Sequence, residues 1–245
     1  MSDHIGVEFM RKTRYEYLSE PPQKQGAPMP PLQIPVPSGA RMIHLPDPSI
    51  CHMPSIDLRA AIERRETLRH YKDVPLKMEE LTFLLWCTQG VRRISDKGIS
   101  FRTVPSAGAR HAFETYLLVN RVKGVSAGLY RWAALENALV EVDISPAVAE
   151  RVTEGCLRQN HVLASAVTFI WVAVAERMFW RYTERGYRYM LLDAGHVCQN
   201  LYLAAEAIGC GVCAIAAYDD DKLNAAVGVD GEQLFAIYAA SLGKR

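Results

Sequence analysis

The chain has 245 residues, 28 of them basic and 27 acidic, so its formal net charge is +1. A balance this even excludes the strongly basic field with which many proteins hold nucleic acid. Hydrophobic residues make up 49% and charged residues 22% of the chain, which is ordinary for a globular protein with a sizeable core.

No segment has the pattern of a membrane span or a secretion signal. The longest apolar run, residues 162–175, is shorter than the roughly 20 residues that a transmembrane helix needs. Residues 1–18 lack the apolar core of a signal peptide. We therefore expect a cytoplasmic protein that binds no membrane, with reduced cysteines.

The N-terminal part of the chain has its own composition. Residues 21–55 are rich in proline and poor in charge. Proline fixes φ and removes a backbone donor, which predicts an extended segment and not a core helix. We expect residues 1–54 to form an arm that wraps over a surface, such as that of a partner subunit, and residues 55–245 to form a single domain.

A dense basic stretch follows the arm. Ser55 is predicted to cap a helix that frays near Glu66, within the sequence RRETLRHY at residues 64–71. The planar fork of arginine and the hydroxyl of threonine suit an oxygen-rich anion. If the stretch is extended, Thr67 and Arg69 point the same way. The open alternative is a solvated helix end with cations near its negative dipole.

A second helix is predicted over residues 74–90, with Gly90 ending it. Residues 91–111 show little periodicity and are predicted to form a long loop, a kind of segment that is often functional. Small residues at 105–109 would let backbone N–H groups approach a flat ring or an anion. The plain alternative is a loop with a turn.

Helices and strands then mix without regular βαβ alternation, which favours an α+β fold over a doubly wound sheet. The predicted strands are residues 114–120, 122–132, 138–143, 166–175, 211–218 and 234–243. The predicted helices are residues 145–159, 186–209 and 219–228.

Three features of the second half have competing interpretations. Residues 179–189 hold two aromatic-basic clusters that could line a pocket, although a lid with snorkelling arginines is slightly favoured. His196 lies mid-helix, where a lone histidine is more often packed than catalytic. Cys210 and Cys213 have CxxC spacing, but without a second ligand pair they are better interpreted as small strand fillers than as a metal or redox site.

Four motifs in order resemble the nitroreductase-like flavoproteins over residues 55–245: RRETLRHY, VPSAGARHAFETYLLV, YRYMLLDAGHVCQNLYLAAEAIGCGVCAIAAYDD and the terminal SLGKR. Within them, PSAGARHAFETYLLV and AGHVCQNLYLAAEAIG most resemble the SagB-type dehydrogenases. The resemblance implies an α+β fold with a mixed or antiparallel sheet of four to five strands flanked by helices. It also implies an FMN-binding domain and a homodimer whose arms exchange between subunits.

The resemblance further implies which residues contact FMN. They are Arg64, Arg65, Thr67 and Arg69 in the first segment, Pro105, Ser106, Ala107 and Gly108 in a loop from the other subunit, Ala216, Ala217 and Tyr218 beside the flavin ring, and Lys244 and Arg245 near the phosphate. Two departures stand out. Alanines replace the usual glycines at 216 and 217, and Arg181-Tyr182 aligns with a Lys-Tyr pair of azoline oxidases. Arginine stays protonated and is a poor base, which argues against azoline oxidation.

The implied activity is that of an FMN-dependent oxidoreductase. A donor, for which NAD(P)H is the natural candidate, would reduce FMN, and a small acceptor such as a nitro compound or quinone would then take its place. Arg181 and Tyr182 are the candidates for orienting the substrate. Three alternatives stay open: dehydrogenation of a heterocycle on a modified peptide, a flavin-binding protein without turnover, and an interaction protein without flavin. No metal site is expected.

Overall fold

The computed structural model describes residues 4–245, which form nine strands and eight α-helices. The strands are β1 (Met42–His44), β2 (Val91–Ile94), β3 (Ser100–Arg102), β4 (Phe113–Val119), β5 (Gly128–Ala133), β6 (Ala138–Asp143), β7 (Val167–Val174), β8 (Cys210–Ile215) and β9 (Leu234–Lys244). The helices are α1 (Ile5–Lys12), α2 (Leu58–Arg64), α3 (Met78–Gln89), α4 (Val148–Gly155), α5 (His161–Ala164), α6 (Ala175–Tyr182), α7 (Gly186–Ala207) and α8 (Asp220–Val227). None of these helices is both long and apolar enough to cross a membrane.

Seven of the strands form one sheet in the order β1-β6-β5-β4-β7-β9-β8. Every neighbouring pair in it is antiparallel. The predicted α+β class and the central antiparallel sheet flanked by helices are confirmed. The expected four to five strands were wrong, because the β5–β6 hairpin and the arm strand β1 continue the sheet beyond β4.

The core lies on both faces of this sheet, and β7 runs through its middle. Phe169 and Trp171 point to the face covered by α3 and α7, whereas Ile170 and Val172 point to the face covered by α4 and α8. Successive side chains of a strand point to opposite faces of the sheet. A strand that is covered on both faces therefore has a continuously apolar sequence. That is why residues 162–175 are apolar throughout without being a membrane span.

Several local predictions differ from the structure. Residues 91–111 are not all loop, because β2 and β3 form a short antiparallel hairpin within them. The cap of α2 is Asp57 and not Ser55, since the Asp57 carboxylate accepts the N–H of Ala60. The aromatic-basic residues 179–189 span the end of a separate helix, α6, and the start of α7.

A buried charge cluster fixes the arm to its own chain. Glu114 is only 3% exposed and pairs with Arg131 at 3.3 Å and with Arg177 at 2.5 Å. Arg177 also donates to the carbonyl of Pro31 at 2.8 Å, and Arg131 to that of Ile34 at 2.9 Å. Glu114 accepts the N–H of Ile34 at 2.8 Å. The proline-rich segment therefore supplies the carbonyl groups that these buried cations need.

His111 makes the stability of this region depend on pH. It is buried, and burial together with the charges of Arg102, Arg110 and Arg177 lowers its pKa to about 3. As the pH falls, His111 binds a proton in the unfolded chain near pH ~6.5 but in the folded chain only near its lowered pKa. The folded state therefore loses stability as the pH falls below ~6.5. We expect His111 to remove about 2 kcal/mol of unfolding free energy between pH 7 and pH 5. Urea denaturation at both pH values measures this loss, and a His111→Asn variant with an unchanged pH dependence contradicts it.

Candidate functional site

The stretch 64–71 lies against the edge strand β8. After α2 ends at Arg64, Thr67 forms a parallel bridge with Val212, and the N–H of Leu68 donates to the Val212 carbonyl at 2.9 Å. The segment is therefore extended, which decides between the two alternatives that the sequence left open. It covers the edge strand, whose backbone groups would otherwise be unpaired.

Two glycines make the surface on which this segment lies. Gly211 and Gly243 are register partners in β8 and β9. A Cβ on Gly211 would come within 2.5 Å of the Leu68 side chain, and one on Gly243 within 2.7 Å of Tyr71. Only residues without a side chain let the segment approach the sheet this closely.

Tyr202 of α7 joins the segment to β8. Its hydroxyl accepts the N–H of Ala214 at 3.0 Å and lies 3.2 Å from the Thr67 hydroxyl. The single hydrogen of the phenol is thus free to be donated to Thr67. The Arg65 guanidinium lies 5.4 Å from the Tyr202 ring centroid, within cation–π range. The sequence contained no signal for this buried tyrosine.

The arginines of the stretch carry charge that no carboxylate neutralises. Arg64, Arg65 and Arg69 form no ion pair within residues 4–245. Arg64 and Arg69 are exposed, and Arg65 is half-buried. This patch is therefore suited to an anionic ligand.

The basic C-terminus is bound within the chain. Lys244 pairs with Glu80 at 2.6 Å, and Arg245 pairs with Glu66 at 2.9 Å and with Glu206. Arg245 also donates to the carbonyl of Cys210 at 3.1 Å. Glu66, which the sequence interpretation left without a role, thus holds Arg245 beside the 64–71 segment.

The stretch after β8 presents its backbone outward. Ala216 and Ala217 are exposed, and the carbonyl of Ala217 accepts from the Gln159 side chain at 2.8 Å. The Tyr218 hydroxyl donates to the carbonyl of Ala236 at 3.1 Å, and burial raises its pKa to about 12. Because the Tyr218 side chain turns into the protein, only backbone and small side chains face outward here.

The loop at 105–108 lies elsewhere, against α6 and the first half of α7. The N–H of Ala107 points at the Asp193 carboxylate at 3.3 Å. Gly108 has φ +55, and a Cβ there would lie 2.3 Å from the Tyr182 hydroxyl and 3.0 Å from Arg181 Nε. Gly108 thus allows the predicted loop to touch the predicted substrate-orienting pair.

The rest of that loop is small and partly exposed. Pro105 is exposed, and the hydroxyl of Ser106 accepts the N–H of His111 at 2.9 Å, which closes the loop on itself. The Arg110 side chain donates back to the carbonyl of Gly108 at 3.2 Å. These bonds hold the tip of the loop in one conformation.

Most of the aromatic-basic cluster holds the N-terminal segment. Arg185 donates to the Thr13 carbonyl at 3.0 Å, and Arg188 to the Thr13 hydroxyl at 2.5 Å. Tyr15 and Tyr189 share a hydrogen bond of 3.0 Å between their hydroxyls. Arg185 and Arg188 therefore hold the N-terminal segment in place and do not line a pocket. Arg181 and Tyr182 lie beside the loop instead.

The loop and the basic patch do not meet within one chain. Asp193 contacts the loop and Tyr202 contacts the patch, and these two residues are nine positions apart in α7. An α-helix turns about 100° and rises about 1.5 Å per residue, so the two residues lie on opposite sides and about 13 Å apart along the axis. One copy of the chain therefore presents the loop and the patch on two separate surfaces.

Three other candidate residues lie in neither the loop nor the patch. His196 is exposed on α7, so the expectation that it is packed was wrong. Cys210 and Cys213 are both buried in β8, and burial raises the pKa of each thiol. Thiols in this state are poor ligands and nucleophiles, which agrees with their interpretation as strand fillers.

Sequence comparison adds an independent finding. A family model described as "Nitroreductase family" matches residues 62–244. A "putative nitroreductase" of Methanocaldococcus jannaschii is 32% identical over 182 residues, which cover 74% of this chain and 87% of that protein. The trifolitoxin-processing protein TfxB of Rhizobium leguminosarum bv. trifolii is 33% identical over 112 residues, 44% of this chain and 30% of TfxB.

Solved structures share the fold. A nitroreductase-like structure from Anabaena variabilis has a TM-score of 0.67 at 25% identity and covers 84% of this chain, which spans only 42% of that protein. The Escherichia coli microcin synthetase McbBCD complex with truncated pro-MccB17 has a TM-score of 0.62 at 18% identity, covering 98% of this chain and 92% of that one. A Desulfovibrio desulfuricans structure in complex with FMN has a TM-score of 0.54 at 15% identity, covering 77% and 86%.

Proposed function

The chain belongs to the nitroreductase family and is an FMN-dependent oxidoreductase, and on that premise we propose that it passes electrons from NAD(P)H to a small organic acceptor such as a nitro compound or quinone. The proposal is supported by the basic patch beside β8, where Arg64, Arg65 and Arg69 form no ion pair with a carboxylate of residues 4–245. Bound FMN would supply the redox chemistry, while the protein binds and orients the reactants.

The residues present fit FMN in charge and in shape. Arg64 and Arg65 would hold the phosphate, and Thr67 and Arg69 would face the ribityl chain and ring edge. The exposed backbone of Ala216 and Ala217 would lie against the ring. Lys244 and Arg245 would contribute less directly, because their carboxylate partners already neutralise them.

Arg181 and Tyr182 are the proposed substrate-orienting residues. Both lie against Gly108, and the Arg181 guanidinium is 5.7 Å from the Tyr182 ring centroid. An arginine keeps its charge, so Arg181 would bind an electron-rich substrate group and would not remove a proton. Tyr182 offers a hydroxyl donor and an aromatic face.

A complete site would require two copies of the chain. The loop and the patch lie on opposite sides of α7, and α2, α3 and α7 expose large apolar side chains. Leu192, Leu58 and Trp86 are 62%, 64% and 40% exposed, and a cavity of about 480 Å³ lies between α2, α3 and α7. Apolar surface of this extent is typical of an interface. We therefore propose a homodimer in which the loop at 105–108 reaches the partner's basic patch.

We propose that residues 55–245 form a single domain and that the N-terminal arm, residues 1–54, adds to the contact between the two subunits. Its proline-rich centre is bound to its own chain at Pro31 and Ile34. Thr13, Ala27 and β1 are bound to the same chain as well, which argues against exchange of the whole arm between subunits. Light scattering that finds a monomer retaining FMN contradicts the shared site.

The basic patch can be tested residue by residue. Arg65→Ala and Arg69→Ala should each weaken FMN binding about 10- to 100-fold, because a hydrogen bond to a charged group contributes roughly 1.5–3 kcal/mol. His70→Ala is the matched control, since His70 is exposed on the same segment. Fluorescence titration with FMN measures all three. Equal FMN affinities in the arginine and histidine variants would show that the basic patch does not bind FMN.

The activity itself is tested by stopped-flow reduction of the bound flavin with NADH and NADPH, followed by a panel of nitro compounds and quinones. Reduction by a nicotinamide and reoxidation by an acceptor at useful rates supports the proposal. A flavin that neither nicotinamide reduces, and that passes no electrons after dithionite reduction, points to a binding protein without turnover.

A second candidate is dehydrogenation of a heterocycle on a modified peptide. The similarity to TfxB, a trifolitoxin-processing protein, and the fold shared with the microcin synthetase complex favour it. The proposed site differs in having Arg181 at the position of a basic lysine. This candidate predicts turnover of an azoline peptide with oxygen and without nicotinamide.

A further inference from the structure

A chain of hydrogen bonds, buried where it starts at the sheet, leads to the exposed backbone at Ala217. The Tyr71 hydroxyl lies 2.8 Å from Ser241 Oγ, which lies 2.8 Å from His161 Nδ1. The other ring nitrogen of His161 lies 3.1 Å from Gln159 Oε1, and Gln159 Nε2 donates to the Ala217 carbonyl at 2.8 Å. Neither Gln159 nor His161 was singled out in the sequence.

The direction of each bond follows from two carbonyl groups. Gln159 Nε2 donates to Cys156 O at 2.9 Å as well as to Ala217 O, which uses both amide hydrogens and leaves Oε1 as an acceptor. His161 must then carry its hydrogen on Nε2 and accept at Nδ1 from the Ser241 hydroxyl. This pattern of donors and acceptors belongs to the neutral form of His161.

The surroundings of His161 favour that neutral form. The charged and titratable groups that face it are Arg69 and Tyr71 from the segment after α2, and Cys213 from β8, with Sγ 3.9 Å from Nε2. Burial and the charge of Arg69 lower the pKa of His161 below its ordinary value. A protonated His161 would place a second positive charge beside Arg69 and reverse its bond to Ser241.

We propose that His161 is a positioning residue that holds the Ala216–Ala217 backbone in place through Gln159, an inference that rests on the proposed flavin site at this edge. The side chains of Ala216 and Ala217 are small, so the backbone is what a ligand would contact here. A carbonyl of Ala217 that is held in place also fixes the plane of the peptide bond that follows it. The bond from Gln159 thus orients the backbone that would contact the ring. Protonation of His161 would keep Nε2–H as the donor to Gln159 Oε1 and strengthen that bond, which would polarise the amide and change its bond to the Ala217 carbonyl.

Carbon-13 labelling of the alanine carbonyls tests the coupling in the full-length protein. In the unmodified chain, the Ala217 carbonyl shift should follow the His161 ring titration, with one shared midpoint below pH ~6.5. In Gln159→Ala the histidine should still titrate while the Ala217 signal stays constant. His161→Gln, which cannot titrate, should also remove the response. Gln233→Ala, at an exposed glutamine, should behave as the unmodified chain.

FMN affinity supplies the second measurement. Gln159→Ala should weaken FMN binding about 10-fold relative to Gln233→Ala, the effect of losing one positioning hydrogen bond. An Ala217 carbonyl that ignores the His161 titration, or equal affinities in the two glutamine variants, overturns the inference. Failure of the unmodified chain to bind FMN would contradict the proposed function instead. The titration of the Ala217 carbonyl would still show whether His161 holds the segment.

Discussion

Replacement of Glu114 by glutamine should lower the free energy of unfolding by about 3–5 kcal/mol and loosen the proline-rich arm. Glu114 is the carboxylate shared by Arg131 and Arg177, and all three side chains are at most 5% exposed. Arg102 lies close by, and burial already lowers its pKa to about 10. Removal of the negative charge would leave buried cations without compensation, which costs far more than the loss of an exposed pair.

Glu154→Gln is the matched control for this prediction. Glu154 also pairs with two cations, Lys222 and Arg158, but its side chain is 47% exposed. Solvent and salt screen exposed ion pairs, so this variant should change the free energy of unfolding little. Urea denaturation measures both, and limited proteolysis within residues 21–35 reports release of the arm. Similar unfolding free energies for the two variants would show that the Glu114 cluster does not hold the arm.

Gly108→Val should lower kcat/KM about 100-fold while leaving the chain folded. The new side chain would strike the Tyr182 hydroxyl, and a displacement of about 1 Å near reacting groups can cost that much. Gly39→Val is the control, because Gly39 also has a positive φ of +76 but its Cβ would meet nothing within 4 Å. It carries the backbone strain without the contact. Equal kcat/KM values in the two variants would show that the loop has no role in catalysis.

The same variant tests whether the site is shared between subunits. Gly108→Val damages the loop, and an Arg65→Ala/Arg69→Ala variant damages the basic patch. If each site combines the patch of one chain with the loop of its partner, a mixed dimer has one intact site and one doubly damaged site. Refolding the two variants together should restore about a quarter of the wild-type activity. No recovery, with mixed dimers present, would place the whole site within one chain.

Long periodic or continuously apolar patterns allowed the main elements to be predicted. The apolar run at 162–175 contains β7, and the pattern over 186–209 contains α7, with ends within a few residues of the observed ones. The basic stretch at 64–71 was recognised as a candidate from its composition. Its extended path was one of two alternatives, because composition alone did not exclude a solvated helix end.

Short elements and long-range contacts could not be predicted in the same way. The strands β1 and β3 have three residues each, too few for an alternation to be visible. The Glu114 cluster joins residues from the arm, β4, β5 and α6, which lie far apart in the sequence. His161 and Tyr202 acquire their roles only through folding, since each bonds to a residue more than 50 positions away.

Identification of the bound cofactor tests the central claim most directly. The purified protein should be yellow, and denaturation should release a flavin with the visible spectrum and mass of FMN, in a ratio of about one per chain since each chain supplies one basic patch. A colourless protein that takes up no added FMN would contradict the account, whatever its oligomeric state.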